Sequence, residues 1–349
     1  MLKVIQRGLT GGAMTLTAAA GALAQGTPTN GNLPPGALPS SWDPTYNVCR
    51  GTDPKCYSNW TPATDRQNRV LVYSRTAGPR HANIGTALGA GINTQDAAGV
   101  VCAPSATCPA LNANNVAQAA LRAWLNAEGI MVDITEDVTR LPGLGSSYKA
   151  VIFLSNSRDA LWKHGTAVAA SSAVNTTTNA YLDQGKVNLR QYVRGGGGFV
   201  AIHNAFGTEY NWPWYEGLLG NANYYNHGAA QNGTVNIVGA ADSSTAGLPA
   251  SWGFHDEWYN LVPYPTKVKF LATVDENTLA TKSSDHPGHG AFHPVAWCQY
   301  YDGGRAWLTT LGHDAGSFQD GSAQPGQAQF KQMIVNGIKS AMGLVPFCQ

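Results

Sequence analysis

The residues of this chain best suited to chemistry are a histidine that follows a predicted strand and a glutamate in a run that also contains a histidine and an aspartate. The run GGGGFVAIHNAFGTEY, from Gly195 to Tyr210, predicts a glycine-rich bend, a short buried strand over 199–202 and a sharp turn that presents His203. Open α/β sheets bind their ligands at the carboxyl ends of strands, so His203 is a candidate catalytic residue. Glu257, in the run HDEWYNL, is the second candidate.

Histidines and carboxylates together support two chemistries, and the sequence leaves both open. Seven of the nine histidines lie after residue 200, and His313 joins His203 and Glu257 as the third member of the predicted site. Neutral imidazoles with one carboxylate bind a divalent ion such as zinc or manganese and leave positions open for substrate. Alternatively, histidine and glutamate act as general base and acid near neutral pH. Neither chemistry calls for a nucleotide cofactor.

Other polar and aromatic residues are weaker candidates. His286, His289 and His293 have the spacing H-x2-H-x3-H, but the proline and glycines between them exclude a helix, so they can form only a loop chelate. Arg305 either orients an anionic or carbonyl oxygen through its planar guanidinium or pairs with a carboxylate such as Asp302. Three neighbouring aromatic residues either line a sugar pocket or pack in the core, namely Trp212, Trp214 and Tyr215.

The elements that must position these side chains follow from the hydrophobic pattern. Strands are predicted at 70–73, 131–135, 150–154 and 199–202, and helices at 115–128 and 179–194. Strands alternating with helices indicate a mostly parallel sheet with helices on both faces. After residue 230 further strands are predicted at 234–238, 268–274, 295–300 and 306–311, as antiparallel or edge additions, before a last helix at 327–342. Two weakly charged inserts, 89–112 and 157–178, are predicted to be surface loops.

The N-terminus and the charge balance predict an exported protein. Residues 1–24 have a basic start, an apolar stretch and an A-x-A cleavage site, which is the pattern of a signal peptide. Residues 25–65, rich in Pro, Gly, Asn and Thr, are predicted to form an extended arm. Losing Lys3 and Arg7 on cleavage changes the formal charge from +1 to −1, so the chain has no electrostatic footprint for nucleic acid or an anionic membrane. We predict a periplasmic or extracellular location.

Six cysteines in an exported chain favour disulfides. Two pairs bracket short loops and are expected to close them, namely Cys49 with Cys56 and Cys102 with Cys108. The remaining two, Cys298 and Cys348, then form a third bridge, although six cysteines allow fifteen pairings.

Five motifs together give the chain a resemblance to the ThuA-like (trehalose-utilisation) family, whose fold is that of the class I glutamine amidotransferases. They are RVLVYSRTAGPRH (69–81), GGGFVAIHNAFGTEYNWPWY (196–215), DEWYNL (256–261), ATVDE (272–276) and HPVAWCQYYDGGRAWLTTLGH (293–313). The resemblance implies a flavodoxin-like open sheet over a single domain at 66–345. The amidotransferases have a cysteine nucleophile where this chain has His203, so glutamine hydrolysis through a thiolate is not expected.

The resemblance also implies a pocket and a class of substrate. Predicted metal ligands are His81, His227, His293 and His313, and predicted substrate contacts are Glu209, Trp212, Trp214, Tyr215 and Tyr259; His203, Glu257 and Arg305 are the predicted catalytic residues. The family is linked to disaccharides and to sugars oxidised at C3, so the expected ligand is a small carbohydrate. In a 3-keto sugar, His203 would remove the acidic hydrogen at C2 and the C1 substituent would leave. The alternative is a non-catalytic carbohydrate-binding protein on the same fold.

Overall fold

The predicted alternation of strands and helices forms the parallel half of a large sheet in a computed structural model, which describes residues 41–54, 67–162 and 184–349. The parallel strands are β3 (Arg69–Tyr73), β4 (Met131–Thr135), β5 (Ala150–Leu154), β6 (Gly198–Ile202) and β13 (Gly304–Thr309). They lie in the order β4-β3-β5-β6-β13. All five carboxyl ends therefore meet at one edge of the sheet.

The C-terminal half extends this sheet with antiparallel strands, of which the sequence predicts all but the one at 251–256. These are β8 (Gln231–Ile237), β9 (Ser251–Asp256), β11 (Lys269–Asp275) and β12 (His293–Tyr301). The segment predicted at 306–311 as an antiparallel or edge addition is instead β13, which lies inside the sheet and runs parallel to β6. The order continues from β13 as β12-β11-β8-β9. Since each step reverses direction, β9 runs the same way as β13 and ends at the same edge. A separate two-stranded sheet pairs β7 (Tyr224–His227) with β10 (Tyr259–Leu261).

Helices cover both faces of the sheet, which confirms the predicted fold class. The helices are α1 (Val116–Ala127), α2 (Leu144–Ser147), α3 (Gln184–Arg194), α4 (Pro213–Leu218) and α5 (Gln327–Ala341). Alternate residues of the buried strands point to opposite faces: Val70 and Val72 pack with α1 and α5, whereas Leu71 and Tyr73 pack with α2, α3 and α4. No helix within the described ranges is long and apolar enough to cross a membrane.

Part of the predicted N-terminal arm belongs to the sheet. A hairpin of β1 (Trp42–Asp43) and β2 (Val48–Gly51) pairs with the end of β12, and Arg50 forms a buried ion pair with Asp43 at 2.6 Å. The Cys102–Cys108 and Cys298–Cys348 disulfides are present as predicted. Cys56 and the predicted signal peptide lie outside the described residues, so the first disulfide and export stay predictions.

The second insert, 157–178, was predicted to be a surface loop, and this prediction is wrong for the first residues of the insert. Ser157, Asp159, Ala160 and Leu161 are buried, because this segment pairs with the loop after β6 instead of leaving the sheet. Arg158 and Thr208 form a parallel bridge between the two segments. Residues 163–178 lie outside the described residues.

A close approach between α5 and the sheet gives a test of the packing. A Cβ built on Gly337 would lie 2.3 Å from Cε2 of Trp307, a side chain that is fully buried. We expect G337A to lower the free energy of unfolding by about 1–3 kcal/mol, the usual cost of overpacking a core. Gly145 in α2 is the control, since a Cβ built there would have nothing within 4 Å and G145A should be neutral or slightly stabilising. Equal effects in urea denaturation would contradict this packing.

Candidate metal centre

Four side chains from distant parts of the chain meet at the carboxyl edge of the sheet. His81 lies in the loop after β3, His203 directly follows β6, Glu257 follows β9 and His313 lies in the loop after β13. One ligand atom from each lies within 4.8 Å of the others. The three residues that the sequence singles out jointly are thus brought together, and His81 completes the group.

His203 is held as a neutral imidazole whose Nε2 carries a lone pair. Its backbone is left-handed, with φ of +54°, which turns the side chain sharply at the strand end. Nδ1 donates to the carbonyl oxygen of Thr310 at 2.9 Å, so Nε2 has a lone pair and accepts from the Tyr259 hydroxyl at 2.8 Å. Burial lowers the pKa of His203 to about 4, which keeps the ring uncharged.

Glu257 lies at the centre of the group. Its Oε2 is 3.1 Å from Nδ1 of His313, 3.6 Å from Nε2 of His203 and 3.9 Å from Nε2 of His81. Ligands of a tetrahedral ion at the usual zinc distances are separated by about 3.4 Å, so these spacings bracket that value. Burial alone would raise the pKa of Glu257, but the histidines around it lower that pKa below its ordinary value.

The donor set fits a divalent cation. Among the described residues, the buried Nδ1 atom of His81 has no hydrogen-bond partner, and Nδ1 of His313 faces the Glu257 carboxylate at 3.1 Å. Three imidazoles and one carboxylate are a ligand set that zinc and similar ions accept. The hydrogen bond from His203 to a backbone carbonyl is the support that a metal-binding histidine usually has on its second nitrogen. We conclude that this is a candidate metal-binding group.

Asp256 is a structural member of the site that the sequence reasoning missed. It is fully buried, and its carboxylate accepts the backbone N–H groups of Gly312 at 2.7 Å, His313 at 3.2 Å and Glu257 at 2.8 Å. These bonds tie the end of β9 to the loop after β13. The adjacent acidic pair in HDEW was the available signal, because one carboxylate can bind while its neighbour positions the backbone.

The loop that carries His81 is held by a neighbouring arginine. Arg80 forms an ion pair with Glu136 at 2.7 Å and donates to the carbonyls of Ile84 and Thr86 at 3.0 and 3.1 Å. Glu136 follows β4 directly, so the loop is attached to the sheet edge rather than left free. This attachment fixes the direction in which His81 enters the group.

A cleft that opens to solvent lies beside the group. Its lining includes His81, Arg158, Tyr210, His227, Glu257 and Tyr259. Nε2 of His227 lies 3.5 Å from Oε1 of Glu257, while its Nδ1 donates to the Gly228 carbonyl. His227 therefore has an acceptor nitrogen in the cleft and stands beside the four-residue group rather than within it.

The structure separates two other predicted residues from this group. Arg305 pairs with Gly198 at the start of β6, at the sheet end opposite to His203, and its Nε donates to the Ala341 carbonyl at 2.9 Å. Both ring nitrogens of His293 form hydrogen bonds outside the group, Nδ1 with the Glu276 carboxylate at 2.8 Å and Nε2 with the Tyr259 carbonyl at 2.9 Å. His293 thus supports the backbone of Tyr259 and is not placed as a ligand of the group.

The predicted aromatic contacts lie mainly in the core. Trp214 and Tyr215 are buried and bond to Asp302 and to the Ala205 carbonyl at 2.9 and 3.0 Å. Trp212 is partly buried against the same cluster and stacks on Trp214. The alternative of core packing, which the sequence left open, therefore holds for Trp214 and Tyr215. Tyr259, by contrast, lines the cleft.

Glu209 lies in a buried ion pair instead of the cleft lining. Its Oε1 accepts the Leu161 N–H at 2.8 Å, and its Oε2 is 3.2 Å from Nζ of Lys186. Burial raises the pKa of Glu209 to about 7, although Lys186 opposes the shift. At pH values between its ordinary pKa and about 7, the carboxyl group of Glu209 therefore takes up a proton when the chain folds.

This shift predicts a pH effect on stability that E209Q removes. The folded chain keeps the proton of Glu209 to a higher pH than the unfolded chain, so the free energy of unfolding should fall as the pH rises from about 4.5 to 7. The full effect is roughly 3 kcal/mol. Urea denaturation at pH 4.5, 6 and 7.5 should give a difference between wild type and E209Q that changes by that amount. Parallel pH curves for the two proteins would contradict the shift.

The fold and the site define an α/β protein with a doubly wound sheet that has a histidine at the strand-to-turn position and a candidate metal-binding group at the carboxyl edge. The family model for ThuA, described as trehalose utilisation, matches residues 69–341. The chain belongs to this family, which confirms the resemblance seen in the sequence motifs. Among curated proteins, none is significantly similar to it in sequence.

Two solved structures are similar to this chain. A ThuA-like protein from Bacteroides uniformis is 19% identical, with a TM-score of 0.51 over 80% of this chain and 93% of its own. A ThuA-like protein from Parabacteroides merdae is 15% identical, with a TM-score of 0.48 over 78% of this chain and 89% of its own. At 19% identity, the similarity to the Bacteroides uniformis structure supports the fold and carries no information about the reaction.

Proposed function

We propose that this chain is an exported, divalent-metal-dependent enzyme that cleaves the C1 substituent from a carbohydrate oxidised to a ketone at C3. The observation that carries the proposal is the convergence of three imidazoles on Glu257 beside an open cleft. His81, His203, Glu257 and His313 would hold zinc or manganese. Bound there, such an ion supplies Lewis-acid polarisation of a carbonyl oxygen.

His227 is the residue best suited to move a proton in this cleft. Its Nδ1 donates to the Gly228 carbonyl, so Nε2 is the proton-accepting atom. The predicted base, His203, is fully buried, and its Nε2 faces Glu257 and Tyr259. We therefore assign the role of base to His227 and the role of ligand to His203.

The reaction balances as an elimination followed by addition of water. His227 removes the proton at C2, and the C–H electron pair forms a C2–C3 double bond while the C3 carbonyl becomes an enolate. The carbonyl then re-forms, a C1–C2 double bond appears, and the bond from C1 to its substituent breaks. The leaving oxygen takes the proton held by His227, and water adds across C1 and C2. The net change is hydrolysis of the glycoside.

Exchange of the C2 hydrogen tests this function directly. Methyl 3-ketoglucoside incubated in D₂O with the metal-loaded protein should lose its C2 proton signal and release methanol, both followed by NMR. Methyl glucoside is the matched control, because without the ketone its C2 hydrogen is not acidic. Binding of the keto sugar with neither exchange nor release would exclude the reaction and leave the alternative of a carbohydrate-binding protein.

A further inference from the structure

Arg158 is held in the cleft wall by its backbone. It lies four residues after β5, and its φ of +56° is left-handed, a conformation that costs a non-glycine residue free energy and persists only where the surroundings impose it. Its N–H donates to the Gly207 carbonyl at 2.9 Å, and its own carbonyl accepts from Ala160 at 2.9 Å and Glu209 at 3.0 Å. The direction of the side chain is therefore set by the sheet edge that carries His203.

The stem of Arg158 packs closely against a glycine, which leaves the guanidinium in the cleft wall. A Cβ on Gly78 would lie 2.4 Å from the Cγ of Arg158, so only glycine leaves room for the stem there. The guanidinium carbon lies 6.0 Å from the centre of the Tyr210 ring. The side chain is exposed and lines the cleft that also contains His81 and Glu257.

No carboxylate of residues 41–54, 67–162 or 184–349 lies within 4.0 Å of the Arg158 guanidinium. Arg50, Arg69 and Arg80, by contrast, each pair with a carboxylate at 2.7 Å or less. The neighbouring Ser157 hydroxyl lines the same cleft, is buried, and has no hydrogen-bond partner among the described residues. The Arg158 guanidinium and the Ser157 hydroxyl therefore both line the cleft, and neither is paired with a carboxylate of the described residues.

The charge balance of the cleft favours an anionic ligand. Three neutral imidazoles and the Glu257 carboxylate would leave one positive charge on a divalent ion, and Arg158 adds another. We infer that Arg158 and Ser157 form a carboxylate subsite, and that the carbohydrate this protein takes is a sugar acid. The inference rests on the proposed function in taking the ligand to be a carbohydrate and in taking the four-residue group to hold a divalent ion. An arginine binds a carboxylate through two parallel hydrogen bonds, which adds orientation as well as affinity.

Glucuronate and glucose are the matched probes, since they differ only in a carboxylate in place of the C6 hydroxymethyl group. Titration calorimetry with the metal-loaded full chain should show glucuronate binding at least about tenfold more tightly than glucose, as expected for a charge-assisted pair. R158Q should bind the two sugars equally, and R158K should keep part of the preference. R140Q is the control: Arg140 is an exposed arginine paired with Asp137, so this variant removes the same charge elsewhere and should keep the full preference.

Two results would overturn the subsite. Equal affinities of the wild type for the two sugars, including no measurable binding of either, would exclude a carboxylate preference. A preference that survives in R158Q would place the carboxylate on another group. Metal affinity measured on R158Q should equal that of the wild type, which shows that the variant is folded. Failure of the subsite is distinguishable from failure of the proposed function, because C2 exchange with the neutral keto sugar does not use the carboxylate.

Discussion

Replacing His203 with alanine should lower the affinity for zinc or manganese by at least about a hundredfold. Changing a residue that only supports a metal ligand lowers metal affinity by up to about a hundredfold. His203 would supply a ligand atom itself, so its loss should cost at least as much. Elemental mass spectrometry of the mature, oxidatively folded protein, without an affinity tag, should find about one ion per chain in the wild type and none in H203A. Because His203 is fully buried, H313A provides a second variant with less risk to folding. His313 keeps a side-chain exposure of 26%.

H286A is the control for the metal experiment. His286 belongs to the loop of three histidines, where its Nδ1 accepts the Gly288 N–H at 3.1 Å, and it is not a member of the four-residue group. Its metal content should equal that of the wild type. A wild-type protein that neither contains nor takes up a divalent ion would remove the metal from the proposed function. Loss of metal in H286A but not in H313A would move the centre to the other loop.

Replacing His227 with alanine should lower turnover of the 3-keto glycoside by about 10²–10⁴-fold, the usual contribution of a positioned general base. The metal content should not change, because His227 approaches only Oε1 of Glu257, at 3.5 Å, and lies outside the four-residue group. Methanol release and elemental analysis on the same preparation measure the two effects separately.

The two readouts distinguish the roles considered for His227. If H227A loses the ion together with activity, His227 is a ligand, as the sequence motifs implied. If turnover and metal content are both unchanged, His227 has neither role and the proton acceptor must be sought elsewhere in the cleft. H286A again provides the comparison, since it removes an imidazole that does not line the cleft.

Much of the fold could be predicted from local pattern. Short apolar runs such as 150–154 and 199–202 are strands in the structure, and the 3.6-residue period of 116–127 is a helix, because burial on a sheet or against a helix imposes those periods on the sequence. The small strands β7 and β10 were missed since neither has a hydrophobic run long enough to be distinguished from a loop. Their pairing depends on contacts between residues that are 32 to 37 positions apart in the chain.

The site could be predicted only in part. His203 was identifiable because it follows a predicted strand, and position at a strand end is a property of the local sequence. Glu257 was identified from the run HDEWYNL, because the strand before it, β9, was not predicted. Arg305 was predicted as a catalytic residue although it stands at the start of β13. Its side chain therefore lies at the other end of the sheet. Arg158 was missed because its segment resembles a surface loop in composition. The segment belongs to the sheet edge only through its pairing with residues 207–209.

The sequence by itself determined the fold class, the strand-end position of His203 and the absence of a cysteine nucleophile there, because these depend on residue type and local period. Tertiary structure decided that His81 completes the group and that His227 and His293 are not members of it. His81, Glu257 and His313 are separated by up to 232 residues of chain, and their convergence follows from the shared direction of β3, β9 and β13 and from the hydrogen bonds of Asp256. Strand order and direction arise from long-range packing, which no local spacing encodes.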